Sequence, residues 1–175
     1  MTPTARYPEP NVIRFVRRFF PKPGLHGERP YRVLDIGSGS GNHARFFEDE
    51  GWSVTALDPD FRCRTHSYVD VRTWLLVRKD EKYDLILDHN TLCHVGEAPY
   101  ELIHRALSDD GIFLCVHPTN ETWPGVGFGK SYTRFASEHE LRESLKPFRD
   151  VRIWHSSYPD FRDHEISSWV AWGRK

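Results

Sequence analysis

Residues Val33-Leu34-Asp35-Ile36-Gly37-Ser38-Gly39-Ser40-Gly41 run an apolar segment straight into a turn with glycine at every second position. An amphipathic stretch, Asn42 to Glu50, follows without a gap. A buried strand that enters such a turn and leaves it as a helix sets backbone N–H groups and a helix N-terminus at the carboxyl end of the strand. In open α/β sheets that is where ligands bind. The three glycines remove side chains where a ligand would need to reach the backbone. Seventeen residues after Gly41 a second apolar run, Ser53 to Leu57, ends in Asp58. A carboxylate at that place can accept from both hydroxyls of a ribose. Loop and acid together point to a nucleoside cofactor.

The spacing of the glycines narrows the choice. A dinucleotide fingerprint reads G-x-G-x-x-G, with its third glycine inside the helix. Here the pattern is Asp35-x-Gly37-x-Gly39-x-Gly41, continued by Asn42 and His43. It resembles the first motif of class I S-adenosylmethionine-dependent methyltransferases. The resemblance implies that Asp35, Gly37, Gly39 and Gly41 wrap the methionine part and ribose of S-adenosyl-L-methionine, and that Asp58 holds the ribose hydroxyls. It further implies that Asp70 accepts from the adenine amino group while the backbone N–H of Val71 meets the ring. The alternative for Asp70 is a helix N-cap.

The segment Asp84-Leu85-Ile86-Leu87-Asp88-His89-Asn90-Thr91-Leu92-Cys93-His94-Val95 resembles the fourth motif of the small-molecule branch, as in tellurite-resistance and thiopurine-type enzymes. The resemblance implies that Asp88 and His89 lie near the methionine amine. His94, and His117 at the end of the fifth strand, are the candidate catalytic bases, since an imidazole titrates near pH 6.5 or so. For either residue the alternative is packing with a backbone hydrogen bond. The Pro-Pro-aromatic step with which amino-directed DNA enzymes stack a flipped base is replaced by Asp88-His89-Asn90-Thr91. The cysteine nucleophile of the C5 enzymes follows a proline, whereas Cys93 follows Leu92. DNA is therefore not the expected acceptor. Asp88-His89 is also similar to the catechol-type O-methyltransferases, but their acid–asparagine pair is missing where His117-Pro118-Thr119-Asn120 stands, so no metal site is expected.

Along the chain, Asn11 is positioned to cap a helix with Val12, Phe15, Val16 and Phe19 on one face. Pro21, Pro23 and Gly24 end it. Strands are expected at Arg32–Ile36, Ser53–Leu57, Ser67–Val71, Tyr83–Leu87, Ile112–His117, Val151–Ser156 and Ile166–Trp172. Helices are expected between them at Asn42–Glu50, Trp74–Lys79, after Pro99, and from a Ser137/Glu140 capping box to Lys146. The fold class is α/β: a Rossmann-like sandwich with a mainly parallel seven-stranded sheet and an antiparallel C-terminal strand pair. Residues 1–175 form a single domain, with 1–30 as a helix and linker capping the cofactor pocket. His117 to Phe135, rich in glycine, suits a substrate lid, the alternative being an irregular surface connection. Trp154, Trp169 and Trp172 read as core.

With 38% apolar residues and a net charge of −1, the chain can build one core and carries no global field for nucleic acid. The opening segment departs from this balance: Arg6, Arg14, Arg17, Arg18, Lys22, Arg29 and Arg32 face only Glu9 and Glu28. This is either a solvated helix face or a rim that attracts an anionic substrate. Cys63, Cys93 and Cys115 form no paired motif, no apolar run approaches membrane length, and Met1 leads into polar residues rather than a signal peptide. A cytoplasmic location without membrane contact is expected. The resulting function is methyl transfer to a small-molecule or exposed nucleophilic acceptor. The alternatives are a non-catalytic S-adenosylmethionine-binding module in a complex, an RNA or protein methyltransferase, or a nicotinamide oxidoreductase.

Overall fold

In a computed structural model the described residues are 8–21, 29–60, 67–119, 137–159 and 165–175. The elements run α1 (Pro10–Phe19), β1 (Arg32–Ile36), α2 (Asn42–Asp49), β2 (Ser53–Leu57), α3 (Val71–Val77), β3 (Tyr83–His89), α4 (Tyr100–Ala106), β4 (Leu107–Pro118), α5 (Glu138–Ser144), β5 (Arg149–Pro159) and β6 (Glu165–Arg174). A single 3-10 turn, Leu92–His94, follows β3. The sheet order is β2-β1-β3-β4-β6-β5. β2, β1, β3 and β4 are parallel, and β6 and β5 join antiparallel. The chain order of the parallel strands reverses at β1, which leaves a crevice at their carboxyl ends between β1 and β3.

Strands buried on both faces carry near-continuous apolar runs, and those of this chain do. Val33, Leu85, Leu87, Ile112, Leu114, Val116 and Val170 face one layer, where Val12, Phe15 and Val16 of α1 and Phe47 of α2 cover them. Leu34, Ile36, Leu57, Ile86, Phe113, Cys115 and Ala171 face the other, under Leu75 of α3, Ile103 of α4 and Leu141 of α5.

Several boundaries differ from expectation. The sheet has six strands among the described residues rather than seven. Of the expected third strand only a single bridge, Ser67 to Leu57, is present, and Val71 already opens α3. Asp70 turns the chain there, because its carboxylate satisfies the free N–H groups of a helix start. Asn11 does not cap α1. Pro10 takes the first helical position, where a missing N–H costs nothing, and the Glu9 carboxylate accepts the Val12 N–H. β3 continues through Asp88 and His89 because β4 pairs with it that far. Of the three tryptophans read as core, Trp169 and Trp172 pack against the two layers, but Trp154 on edge strand β5 is 37% exposed. The Ser137/Glu140 capping box is present, whereas the expected lid lies largely outside the described residues.

Asp110-Gly111, just before the strand expected at Ile112–His117, is an irregularity within β4, with Asp110 at φ 63° and the register against Tyr83 and Leu85 shifted. A Cβ on Gly111 would stand 2.9 Å from both the Ser108 and the Tyr83 carbonyl oxygens. Backbone cannot yield as a side chain does. Gly111→Ala is therefore expected to destabilise the protein by about 1–3 kcal/mol. A thermal melt checks this: at roughly 2–4 °C per kcal/mol, the midpoint falls by several degrees. An unchanged midpoint would mean that the strand relaxes freely at this point.

Candidate functional site

The crevice is built on the glycine turn. Gly37, Gly39 and Gly41 have φ of 67°, 50° and 73°, all in the left-handed region that side-chain-bearing residues rarely enter. The turn is tied on every side. Ser38 donates its N–H to the Leu57 carbonyl at 2.9 Å, and Gly39 donates to Asp58 Oδ2 at 3.0 Å. Asp58 Oδ1 accepts the Asp60 N–H at 2.8 Å, so the carboxylate is fixed at the end of β2. On the β3 side Thr91 fills the space that a Gly37 side chain would need, its Oγ1 only 2.0 Å from where a Cβ would stand.

Asp35, on β1 beneath the turn, is buried and accepts the Ala44 N–H from the first turn of α2, while its Oδ2 has no hydrogen-bond partner among the described residues. Burial first, and then the nearby Asp88, push its pKa up to about 7. Asp88, also buried, accepts the Thr91 and Leu92 N–H groups on Oδ1 and meets His117 Nε2 through Oδ2 at 2.5 Å. His117 lies on β4 and is 3% exposed. His89 projects to the other side and packs against His43 of α2, the rings tilted by 59° with their centres 4.9 Å apart. His43 Nε2 accepts the Glu9 N–H at 3.2 Å, tying the start of α1 to the glycine turn. Desolvation holds both imidazoles neutral, with His43 at about 3 and His89 at about 4. Burial also raises the pKa of the Glu9 carboxyl.

A cavity of about 500 Å³ opens above the turn, lined by Pro8, Glu9, Pro10, Gly37 to Ser40, Asn42, His43 and His89. A second one, of about 200 Å³, lies on the opposite layer against Leu92, Cys93, Val95, Tyr100, His117 and Glu140. The sequence-derived residues thus divide. Asp35, Gly37, Gly39, Gly41, Asp58, Asp88 and His89 converge on the crevice. Asp70 and Val71 stand at the head of α3, where Asp70 accepts from the Thr73 N–H and hydroxyl, and those bonds hold its pKa low. His94 is exposed on the 3-10 turn, whereas His117 is enclosed. Glu9 and His43 were missed. The one signal for Glu9 is its position as one of two acids in the basic opening segment, and His43 carries only its adjacency to Asn42 after the last glycine. Among the described residues no group of three or more His, Cys, Asp or Glu is placed to hold a metal ion. Nor is any helix among them long and apolar enough to cross a membrane.

The site fits S-adenosylmethionine in its chemistry: exposed backbone on a left-handed turn, a fixed carboxylate at the end of β2, and an unpartnered buried carboxylate oxygen for a cationic ligand. The arrangement is that of a class I methyltransferase. A family model described as a methyltransferase domain matches residues 5–170, and the chain belongs to that family of S-adenosylmethionine-dependent methyltransferases.

Solved structures show the same fold. An S-adenosylmethionine-dependent methyltransferase from Archaeoglobus fulgidus superposes with a TM-score of 0.73 at 15% identity, over 94% of this chain and 93% of that one. TehB from Haemophilus influenzae gives 0.67 at 15% identity, over 96% of this chain and 62% of that one. The 1,6-didemethyltoxoflavin N1-methyltransferase of Burkholderia thailandensis gives 0.58 at 22% identity, over 84% and 72%. A comparison with curated proteins finds no match.

Asp35 makes the site sensitive to pH. Its folded-state pKa of about 7 lies above the ordinary 3.8, so between those values the folded state binds a proton that the unfolded chain has released. Its contribution to stability is full below pH 3.8 and is lost as pH rises toward 7. Asp35→Asn keeps the acceptor for Ala44 and does not ionise. In urea unfolding without ligand, the variant should gain stability relative to the parent between pH 5 and 8. A difference that stays constant with pH would show that Asp35 is ionised throughout.

Proposed function

We propose that the protein transfers the methyl group of S-adenosylmethionine to a small-molecule acceptor, with the cofactor across the glycine turn and the acceptor beside His117. Bound there, the cofactor supplies an activated methyl on a sulfonium, so much of the protein's work is alignment to about 3–3.5 Å. In this reading Gly37, Gly39 and Gly41 present backbone to the methionine and ribose, and Asp58 accepts from the ribose hydroxyls. Asp70 and Val71 meet the adenine. Asp35, Asp88 and His89 surround the methionine amine. Pro8, Glu9 and Pro10, which line the larger cavity, support the N-terminal segment as its cap.

The small cavity of about 200 Å³ supports the choice of a small acceptor, because it has room for one compact group. Of the two candidate bases, His117 borders that cavity and has a carboxylate partner that fixes its ring. Asp88 would steady the imidazolium formed when an oxygen or nitrogen acceptor loses its proton, and a thiolate acceptor would need no base. The toxoflavin neighbour, solved with a small acceptor and S-adenosylhomocysteine bound, is consistent with this reading. A cytoplasmic location belongs to it as well, supported by the two buried free thiols, Cys93 and Cys115.

S-adenosylhomocysteine should stabilise the protein by about 2.7 kcal/mol at a hundred times its dissociation constant, and NADH should not. Asp58→Ala should weaken its binding by about 10- to 100-fold in titration calorimetry, the range expected for a charge-assisted hydrogen bond. Unchanged affinity would put the ribose elsewhere.

A screen with radiolabelled donor over small thiols, amines and hydroxyls, with RNA and protein as separate arms, tests the acceptor class. Transfer confined to RNA or protein would overturn the small-molecule reading. With an oxygen or nitrogen acceptor, His117→Gln should lower kcat by about 10²-fold or more while the thermal shift with S-adenosylhomocysteine persists. A loss confined to His94→Gln would move the base to the 3-10 turn.

A further inference from the structure

The face of the sheet beyond α1 carries chemistry that methyl transfer does not use. α1 covers β1, β3, β4 and, through Phe15 and Phe19, Val170 and Trp172 of β6; past it the described residues of β5 have no helix over them on that side. Two adjoining cavities, of about 560 and 580 Å³, form one trough there and share Arg18, Phe19, Arg152 and Trp172. Asn11 and Arg14 extend it toward the cofactor crevice, and Arg149 and Arg174 extend it toward the opposite end of the sheet.

Five arginines and no lysine line this trough, against two carboxylates, Asp110 and Asp150, both at the lower end. Arg149 is paired with Asp110, but Arg14, Arg18 and Arg152 are exposed and form no ion pair among the described residues. Aromatic rings alternate with them. Trp154 is 37% exposed on β5, Arg18 lies 5.6 Å over the Phe19 ring, and Arg174 lies 5.9 Å over Trp172. Trp154 thus presents part of its indole to the trough, beside Arg152 and Trp172.

From this juxtaposition we infer that the trough along α1, β5 and β6 binds a single-stranded nucleic acid, with phosphates on Arg14, Arg18 and Arg152 and a base stacked on Trp154. Arginine suits the phosphates because its planar fork bonds two oxygens at once, and every base has a face to stack. An acidic peptide would use the guanidinium groups but leave the exposed indole without a partner. The chain's net charge of −1 rules out a diffuse basic field as the source of binding, so affinity must come from this local stripe. The site is separate from the glycine turn and does not depend on the identity of the methyl acceptor.

The test is fluorescence anisotropy with a labelled single strand of about a dozen nucleotides, as RNA and as DNA, over about 50 to 200 mM salt. Binding should weaken steeply with salt. Arg18→Glu and Arg152→Glu should each weaken it, and the neutral variants Arg18→Gln and Arg152→Gln should each lower the log–log salt slope by about 0.7. Trp154→Ala should weaken binding about ten-fold with the slope unchanged. All variants should keep the thermal shift with S-adenosylhomocysteine, which shows that they are folded. Absence of binding by the parent protein, binding that these variants do not alter, or equal binding of a poly-glutamate peptide would overturn the proposal.

Discussion

The hydrogen bond from the Gly39 N–H to Asp58 Oδ2 ties the end of β2 to the turn that leaves β1, and much of the site depends on it. A turn of three left-handed glycines is costly to order, since glycine loses more backbone freedom on folding than any other residue. Here the turn is held by Asp58 from one side, by the Leu57 carbonyl through Ser38, and by the Thr91 side chain packed against Gly37 from the other. The result is a rigid surface of backbone beside a carboxylate whose position is already set. Little of the cofactor's binding energy is then needed to organise the loop.

Behind that surface burial disfavours charge on Asp35, His43 and His89, whereas Asp88 is paired. Asp35 has an oxygen without a partner, His43 and His89 are held neutral, and Asp88 is shared between two backbone N–H groups and His117. Such groups are expensive to bury in a site with no task for them. In the proposed function an amine cation beside Asp35 would return its carboxylate to the ionised form and so couple cofactor binding to the protonation of this residue. The two histidines pull stability in the opposite direction as pH changes. Held below the ordinary 6.5, they contribute fully above that value and lose their contribution as pH falls toward 4 and 3.

Much of this was legible in the sequence because glycine spacing and strand-terminal acids are local signals. Gly37, Gly39, Gly41 and Asp58 fall where the motif places them, and the β1 and β2 boundaries match to the residue. The errors lie where a local preference lost to a neighbour. Asn11 is a good cap, but Pro10 starts the helix one residue earlier and hands the role to Glu9. Ser67 to Val71 has strand-like residues, but Asp70 bonds Thr73 and converts the stretch into a helix start. The pairing of His43 with His89, and of Asp88 with His117, joins residues 46 and 29 positions apart, and no periodicity reports such contacts. Trp154 was misread because alternation along an edge strand does not say whether a helix will cover that face.

In the proposed function S-adenosylmethionine lies across the glycine turn with its ribose on Asp58 and its amine toward Asp35 and Asp88. A crystal structure with S-adenosylhomocysteine tests it most directly. Both ribose hydroxyls should lie within hydrogen-bond distance of the Asp58 carboxylate, and the homocysteine against Gly37 to Gly41. A ligand bound elsewhere, or a ribose with no contact to Asp58, would contradict it.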